Sequence, residues 1–196
     1  MSLRTAHKHM TRRLLLESGL RLFEEKGYVT TTIDEISVGA GTTRTTFYLH
    51  FASKPQLMLA LVEEIDDIAL GADVPRLAEA LAGRDLPALR AWAVRRMEQL
   101  PAITPHVRAV EQAASVEPEI AERVHRWHDE AVDAIAAALP AELPAPVRRA
   151  RALLGFAQVE YLTRRWPALE ADRAREGLAE ELARSLWVLL LDADPR

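Results

Sequence analysis

The residues best suited to chemistry lie in one short segment, from Arg44 to His50. At about 100° per residue of an α-helix, Arg44 and Tyr48 fall about 40° apart with Thr45 beside them, and Phe47 points away. Arginine can donate two hydrogen bonds to the edge of guanine, and threonine, tyrosine and histidine can reach bases or phosphate oxygens. This spacing is typical of a helix that presents one polar face to a DNA groove and packs the other.

A second short helix has to position this segment. Thr32 and Glu35 have the spacing of a capping box, in which each side chain satisfies a free backbone N–H of the other residue. Gly39 and Gly41 allow a tight turn, and Thr43 can cap the helix that follows. Two short helices joined by a turn that contains glycine predict a helix-turn-helix.

Positive charge is concentrated in the same part of the chain. The 196 residues carry a net charge of −4, yet residues 1–58 hold eight Lys and Arg against five Asp and Glu. An acidic body with one basic end favours a protein that touches phosphate at that end only. Lys54 stands in the first turn of the next helix, where a cation is unfavourable unless an anion such as a DNA phosphate lies nearby.

The rest of the chain shows helical periodicity and no convincing strand. Apolar residues recur at intervals of three and four, which predicts helices over 11–26, 32–39, 43–49, 54–70, 75–82, 86–100, 105–115, 118–139, 146–166 and 171–192. The absence of cysteine argues against disulfide and thiolate chemistry, and no apolar run approaches the roughly 20 residues of a membrane span. With no export signal visible, we expect a cytoplasmic protein without a membrane partner.

The run TTTIDEISVGAGTTRTTFYLHFASKPQL, which begins at Thr30, resembles the signature of the TetR family of transcriptional regulators. The preceding RLFEEKGY segment, which ends at Tyr28, is also similar, so the resemblance covers about the first 60 residues. This sequence departs from the family at Thr42, where an apolar residue is usual, and at Thr45, where glycine, alanine or proline is common. These departures put the operator sequence beyond inference from relatives.

The resemblance implies an all-α protein with a three-helix DNA-binding domain at residues 1–53 and a ligand-binding and dimerisation domain at 54–196. Its expected activity is that of a repressor, which a small-molecule effector of unknown identity releases from a palindromic operator on double-stranded DNA. We expect no cofactor and no catalysis. The residues expected to contact DNA are Thr32, Thr43, Arg44, Thr45, Thr46, Tyr48, His50 and Lys54.

The last two predicted helices carry apolar stripes that could pack on a second copy of the chain. In TetR-type proteins these helices form a four-helix bundle with the partner subunit, so the resemblance implies a homodimer. Burial within the single chain is the alternative. The expected interface residues are Val147, Ala150, Leu154, Ala157, Tyr161, Leu178, Leu182, Leu186 and Leu189.

An effector pocket is expected among the middle helices, although no motif defines it. Large apolar groups and two charges on apolar faces are the candidate ligand contacts: Trp92, Arg96, Met97, Glu111, Trp127 and Phe156. The alternative for the two charged residues is that Arg96 and Glu111 pair with each other or extend to water.

A metal-binding helical enzyme is the competing functional hypothesis. Glu122 and His125 have the Glu-x-x-His spacing of di-metal bundles, but such a site needs a second motif, and we find none. His125, His128 and Asp129 could instead hold a single ion, yet a solvated polar helix flank accounts for them more simply.

Overall fold

The computed structural model describes residues 3–65, 73–169 and 177–191. Within these ranges all regular secondary structure is α-helical, which confirms the predicted fold class. The helices are α1 Leu3–Lys26, α2 Ile33–Gly39, α3 Arg44–Tyr48, α4 Lys54–Ile65, α5 Asp73–Ala82, α6 Leu86–Ala114, α7 Pro118–Ala138, α8 Ala145–Leu169 and α9 Leu178–Leu191. None of these helices is both long and apolar enough to span a membrane.

Among the described residues, α1 and α6 show the differences from their predicted bounds that change the reading of the fold. α1 begins at residue 3 instead of 11, and the helices predicted over 86–100 and 105–115 form one helix, α6. α6 passes through Pro101 and Pro105, each of which lacks the N–H that would bond four residues back. The side chains of Leu100 and Ile103 are buried on this stretch, and the Thr104 hydroxyl donates to the Leu100 carbonyl at 2.7 Å. Burial of one face therefore keeps the helix continuous despite the two missing bonds.

The helices are arranged in two compact units. The first unit comprises residues 1–65 and 105–124, and the second comprises residues 66–104 and 125–196. All of α4 lies in the first unit, although we assigned it from sequence to the ligand-binding domain. The functional boundary after residue 53 stays a prediction.

The first unit is built around one apolar core, and it includes Phe47, which the spacing of α3 predicted to be packed. Phe23, Phe47 and Phe51 are buried with Leu57 in one apolar core. α1 approaches α4 closely at Gly19, where an added Cβ would lie 2.8 Å from the Leu57 side chain. The missing side chain at Gly19 therefore lets α1 pack directly against α4.

The second unit packs α8 against α9. Ala152, Gly155, Thr163 and Trp166 form the buried face of α8, and a Cβ added at Gly155 would lie 3.1 Å from the side chain of Leu190 on α9. Gly155 thus allows α8 and α9 to approach each other closely. The opposite face of α8 is exposed.

Candidate nucleic-acid interface

The N-terminus of α2 has the predicted capping box. Thr32 accepts from the backbone N–H of Glu35 at 3.3 Å, and the Glu35 carboxylate accepts from the backbone N–H of Thr32 at 2.9 Å. Lys26 forms an ion pair with the same carboxylate. The hydrogen bond from Lys26, followed by the bonds from Thr32, lowers the pKa of Glu35 from its ordinary 4.5 to about 2.

The other end of α2 is fixed to α1. The buried Ser18 hydroxyl donates to the Ile36 carbonyl at 2.9 Å, and a Cβ added at Gly39 would lie 2.4 Å from the Ser18 oxygen. Gly41 follows with φ +66°, a left-handed conformation that glycine adopts without strain. Both glycines therefore have a physical role in the turn between α2 and α3.

α3 divides into the two faces that the spacing predicted. Thr43 caps it by accepting from the backbone N–H of Thr46 at 3.2 Å. Phe47 is completely buried, with its ring centroid 5.7 Å from that of Phe51. On the other face Arg44, Thr45 and Tyr48 are exposed. The burial pattern is confirmed, whereas DNA contact by these residues stays a prediction.

Arg44 already has partners on the exposed face. Its guanidinium lies 3.1 Å from the carboxylate of Asp34 and 5.7 Å from the centre of the Tyr48 ring. The Tyr48 hydroxyl and then the Asp34 charge raise the pKa of Arg44. Because an ion pair between two exposed side chains contributes little to stability, Arg44 can leave Asp34 for a base edge at small cost.

Lys54 contacts the backbone of its own unit in the structure, and the phosphate contact that we expected of it is untested. Its ammonium group donates to the carbonyls of Tyr28 at 2.8 Å and Thr31 at 3.0 Å, with Val29 at 3.4 Å. The same group lies 4.2 Å from the centre of the Tyr28 ring. Lys54 therefore fixes the connection between α1 and α2, and contact with phosphate would require it to release at least one of these bonds.

His50 follows α3 and is half-buried. Burial, followed by the nearby charges of Lys8 and Arg12, lowers its pKa. Arg12 lies with its guanidinium carbon 5.1 Å from the centre of the Phe51 ring. Sequence reasoning counted Lys8 and Arg12 toward the basic end of the chain but did not name them as site residues, and it left Lys8 outside the first helix by beginning that helix at residue 11. The available signal was the absence of any acidic residue before Glu17.

Within the second unit, the middle helices line a small, partly open cavity of about 40 Å³. Four of the six residues expected to contact ligand line it, namely Trp92, Arg96, Trp127 and Phe156. The other lining residues are Asp73, Val74, Leu77, Ile135 and Val159. A volume of this size has room for no more than a few water molecules.

The charge in this cavity is paired differently from our expectation. The buried guanidinium of Arg96 lies 3.6 Å from the Asp73 carboxylate and donates to Thr163 at 3.2 Å. Burial raises the pKa of Asp73 and lowers that of Arg96. The expectation that Glu111 faces inward is wrong, because its side chain is exposed. Met97 is buried in the surrounding core and does not line the cavity.

The residues considered for a metal site are also placed. His128 lies 2.8 Å from the Glu160 carboxylate, whereas His125 is exposed. Among residues 3–65, 73–169 and 177–191, no three His, Asp or Glu side chains are grouped so that they could hold an ion.

The predicted interface residues fall into two groups. On α8, Val147, Leu154 and Tyr161 are 39%, 56% and 64% exposed, and Ala150 and Ala157 are exposed with them. On α9, Leu178 and Leu189 are half-buried, but Leu182 and Leu186 lie in the core of the second unit. Assigning Leu182 and Leu186 to a subunit interface was wrong, because packing within the chain already covers them.

Comparison with known sequences finds relatives for the first part of the chain. Residues 15–61 match the model for bacterial regulatory proteins, tetR family. The chain is 36% identical to the HTH-type transcriptional regulator YerO of Bacillus subtilis over 70 residues, covering 36% of this chain and 24% of YerO. It is 35% identical over 51 residues to EthR of Mycolicibacterium smegmatis, covering 26% of this chain and 24% of EthR. The chain thus matches about a quarter of the length of these relatives.

Comparison with solved structures extends the likeness to the whole fold. NalD, the secondary repressor of the MexAB-OprM multidrug efflux pump in Pseudomonas aeruginosa, superposes with a TM-score of 0.73 at 19% identity, covering 95% of this chain and 98% of NalD. The fatty acid degradation regulator FadR from Bacillus halodurans gives a TM-score of 0.67 at 14% identity, covering 90% and 94%. At such identities the likeness establishes the fold alone.

Proposed function

Since the chain belongs to the TetR family of bacterial regulatory proteins, we propose that it is a DNA-binding transcriptional regulator that acts as a homodimer in the cytoplasm. The observation that carries this proposal is α3, whose polar face is exposed while Phe47 anchors the other face in the core. Two such helices in a dimer would read two half-sites about one helical turn apart, which requires a palindromic operator.

Selection from a pool of random duplexes by the purified protein tests this proposal. We expect the enriched sequences to be palindromic. Arg44→Ala should cost about 1–3 kcal/mol on the selected duplex and relax the preference at one base position of each half-site. Arg13→Ala is the matched control, because Arg13 is an exposed arginine paired with Glu17 at 3.3 Å on α1. If folded protein enriches no sequence, the proposal fails.

We further propose that the regulator is a repressor released by a small, mainly apolar effector that binds where Trp92, Arg96, Trp127 and Phe156 meet. Repression is the role named for NalD, which shares the fold. Because the cavity of about 40 Å³ is too small for such a ligand, binding requires the surrounding helices to move apart. That movement is a means by which the ligand could favour a conformation that binds DNA poorly.

A thermal-shift screen of small molecules, followed by operator titration, tests the effector site. A coupling of about 1–3 kcal/mol would lower operator affinity 5- to 150-fold, and operator would weaken the ligand equally. Trp92→Ala should raise the ligand concentration needed for release and leave operator affinity without ligand nearly unchanged. Arg90→Ala, a surface change on the same helix where Arg90 pairs with Glu180 at 2.8 Å, should alter neither. Unchanged ligand sensitivity in folded Trp92→Ala would exclude this site.

A further inference from the structure

The first turns of α1 carry a basic surface that the helix-turn-helix motif does not include. Lys8 and Arg12 are four residues apart, so they lie on the same face of α1 about 6 Å apart along its axis. Farther along α1, the same face carries the buried Leu15 and Leu16. Lys8 and Arg12 therefore continue, beyond the apolar core, the side of α1 that faces the other helices of the first unit.

Two observations place this basic surface beside the end of α3. The guanidinium carbon of Arg12 lies 5.1 Å from the centre of the Phe51 ring, one residue after His50. Lys8 lies one helical turn before Arg12, and burial, followed by the charges of both residues, lowers the pKa of His50, the second residue after α3. Three groups that can carry positive charge thus converge at one edge of the candidate interface.

The other described cations of α1 differ from these two because they have carboxylate partners. Arg13 lies 3.3 Å from Glu17, Arg21 lies 3.2 Å from Glu25, and Lys26 pairs with Glu35. Among the described residues, no ion pair forms at Lys8 or Arg12. Stacking over the Phe51 ring accounts for the position of Arg12. It does not account for the position of Lys8, and it gives neither residue a negatively charged partner. A cluster of like charges of this kind is stabilised by an anion.

We propose that Lys8 and Arg12, together with His50, bind the phosphate backbone of the operator beyond the bases that α3 reads. This inference rests on the proposed function and extends its DNA contacts to α1. The ligand class is the phosphodiester of double-stranded DNA, because the surface adjoins α3 and has the opposite charge. Contacts of this kind position the protein on the duplex and add affinity without sequence preference.

The test measures binding of the selected duplex and of a scrambled duplex between about 50 and 200 mM salt, a range over which several phosphate contacts lower the affinity strongly. Lys8→Ala and Arg12→Ala should each reduce the slope of log K against log salt by about 0.9 for every phosphate contact removed. The ratio of affinities for the two duplexes should not change. Lys8→Arg should keep the wild-type slope, and Arg13→Ala, which removes an equal charge from the adjacent position, should also keep it.

The possible results separate this inference from the function on which it rests. Wild-type protein that binds no duplex would overturn both. Wild-type protein that binds, with slopes unchanged in Lys8→Ala and Arg12→Ala, would overturn the inference alone. An equal decrease in Arg13→Ala would also overturn it, because general charge would then explain the effect. Thermal unfolding checks the fold of Arg12→Ala, and the exposed Lys8 provides the test independently of the Phe51 contact.

Discussion

The basic side chains of this protein have different roles that depend on what surrounds them. Arg44 is exposed, and its partner Asp34 is also exposed, so the guanidinium can exchange that carboxylate for a base. Arg96 is buried against Asp73, and removal of either charge would leave the other without compensation. Lys54 directs its ammonium group to backbone carbonyls of its own unit. Exposure and partners, more than residue type, decide which cations are available to DNA.

Lys54 provides a prediction at the scale of a single residue. Lys54→Ala removes the ammonium donor from the Thr31 carbonyl and leaves the Tyr28 carbonyl with only the Thr31 backbone N–H, so the free energy of unfolding should decrease by about 1–3 kcal/mol in urea denaturation. The salt dependence of DNA binding should stay as in the wild type. A changed salt slope with unchanged stability would instead support the phosphate contact that the sequence predicted. Lys8→Ala is the control, because it should change the salt slope and leave stability unaltered.

At the scale of the element, the sequence predicted most accurately what depends on neighbouring residues. The Thr32 capping box, the glycine turn and the buried position of Phe47 are local features, and the structure confirms each. The break predicted between residues 100 and 105 failed because tertiary packing overrides the cost of two prolines in α6. The ion pair between Arg96 and Asp73 joins two helices, and no spacing rule along one chain reveals such a contact.

The capping box of α2 leads to a prediction about pH. The folded-state pKa of Glu35, about 2, lies below its ordinary value of 4.5. A carboxylate with a lowered pKa contributes stability that is fully present above pH 4.5 and is lost as the pH falls through 2. Glu35→Gln should therefore destabilise the protein at pH 7 and show a smaller loss of stability than the wild type between pH 4.5 and 2. Urea denaturation of both proteins at several pH values measures this difference.

Glu25→Gln is the control for the pH experiment. Glu25 is exposed on α1 and pairs with Arg21 at 3.2 Å, but it caps no helix. Its acid sensitivity should match that of the wild type. Parallel curves for the wild type and Glu35→Gln across this range would show that the capping carboxylate does not contribute to acid sensitivity.

At the scale of the whole molecule, α8 and α9 show why apolar spacing alone could not assign the interface. Leu154 and Leu186 both belong to stripes with helical spacing, but Leu154 is 56% exposed and Leu186 is 0% exposed. An apolar stripe indicates that one face of a helix is packed against something. It does not indicate whether that face packs within its own chain or against a second subunit. In α9 the apolar residues surround most of the helix, so several stripes fit the sequence equally well. The packing of the second unit determines which of these stripes is buried within the chain.

This difference between Leu154 and Leu186 gives a paired prediction for the homodimer. The uncovered face of α8 with Val147, Leu154 and Tyr161 is a contiguous apolar surface of the kind that marks protein interfaces. Leu154→Glu would place a charge at an exposed position of the single chain, so the subunit should fold normally while the dimer dissociates. Light scattering at micromolar concentration should then give a dimer for the wild type and a folded monomer for Leu154→Glu, with circular dichroism confirming the helices.

Leu186→Glu should act differently because it buries a charge in the core where α9 packs near Gly155 of α8. We expect loss of cooperative unfolding or insoluble protein for this variant, and no folded monomer. Since each half-site contributes its contacts only when two subunits are joined, folded Leu154→Glu should also lose most of its affinity for a two-half-site duplex and retain weak binding to each half-site. A Leu154→Glu protein that remains dimeric and binds the full duplex as tightly as the wild type would exclude this face of α8 from the interface.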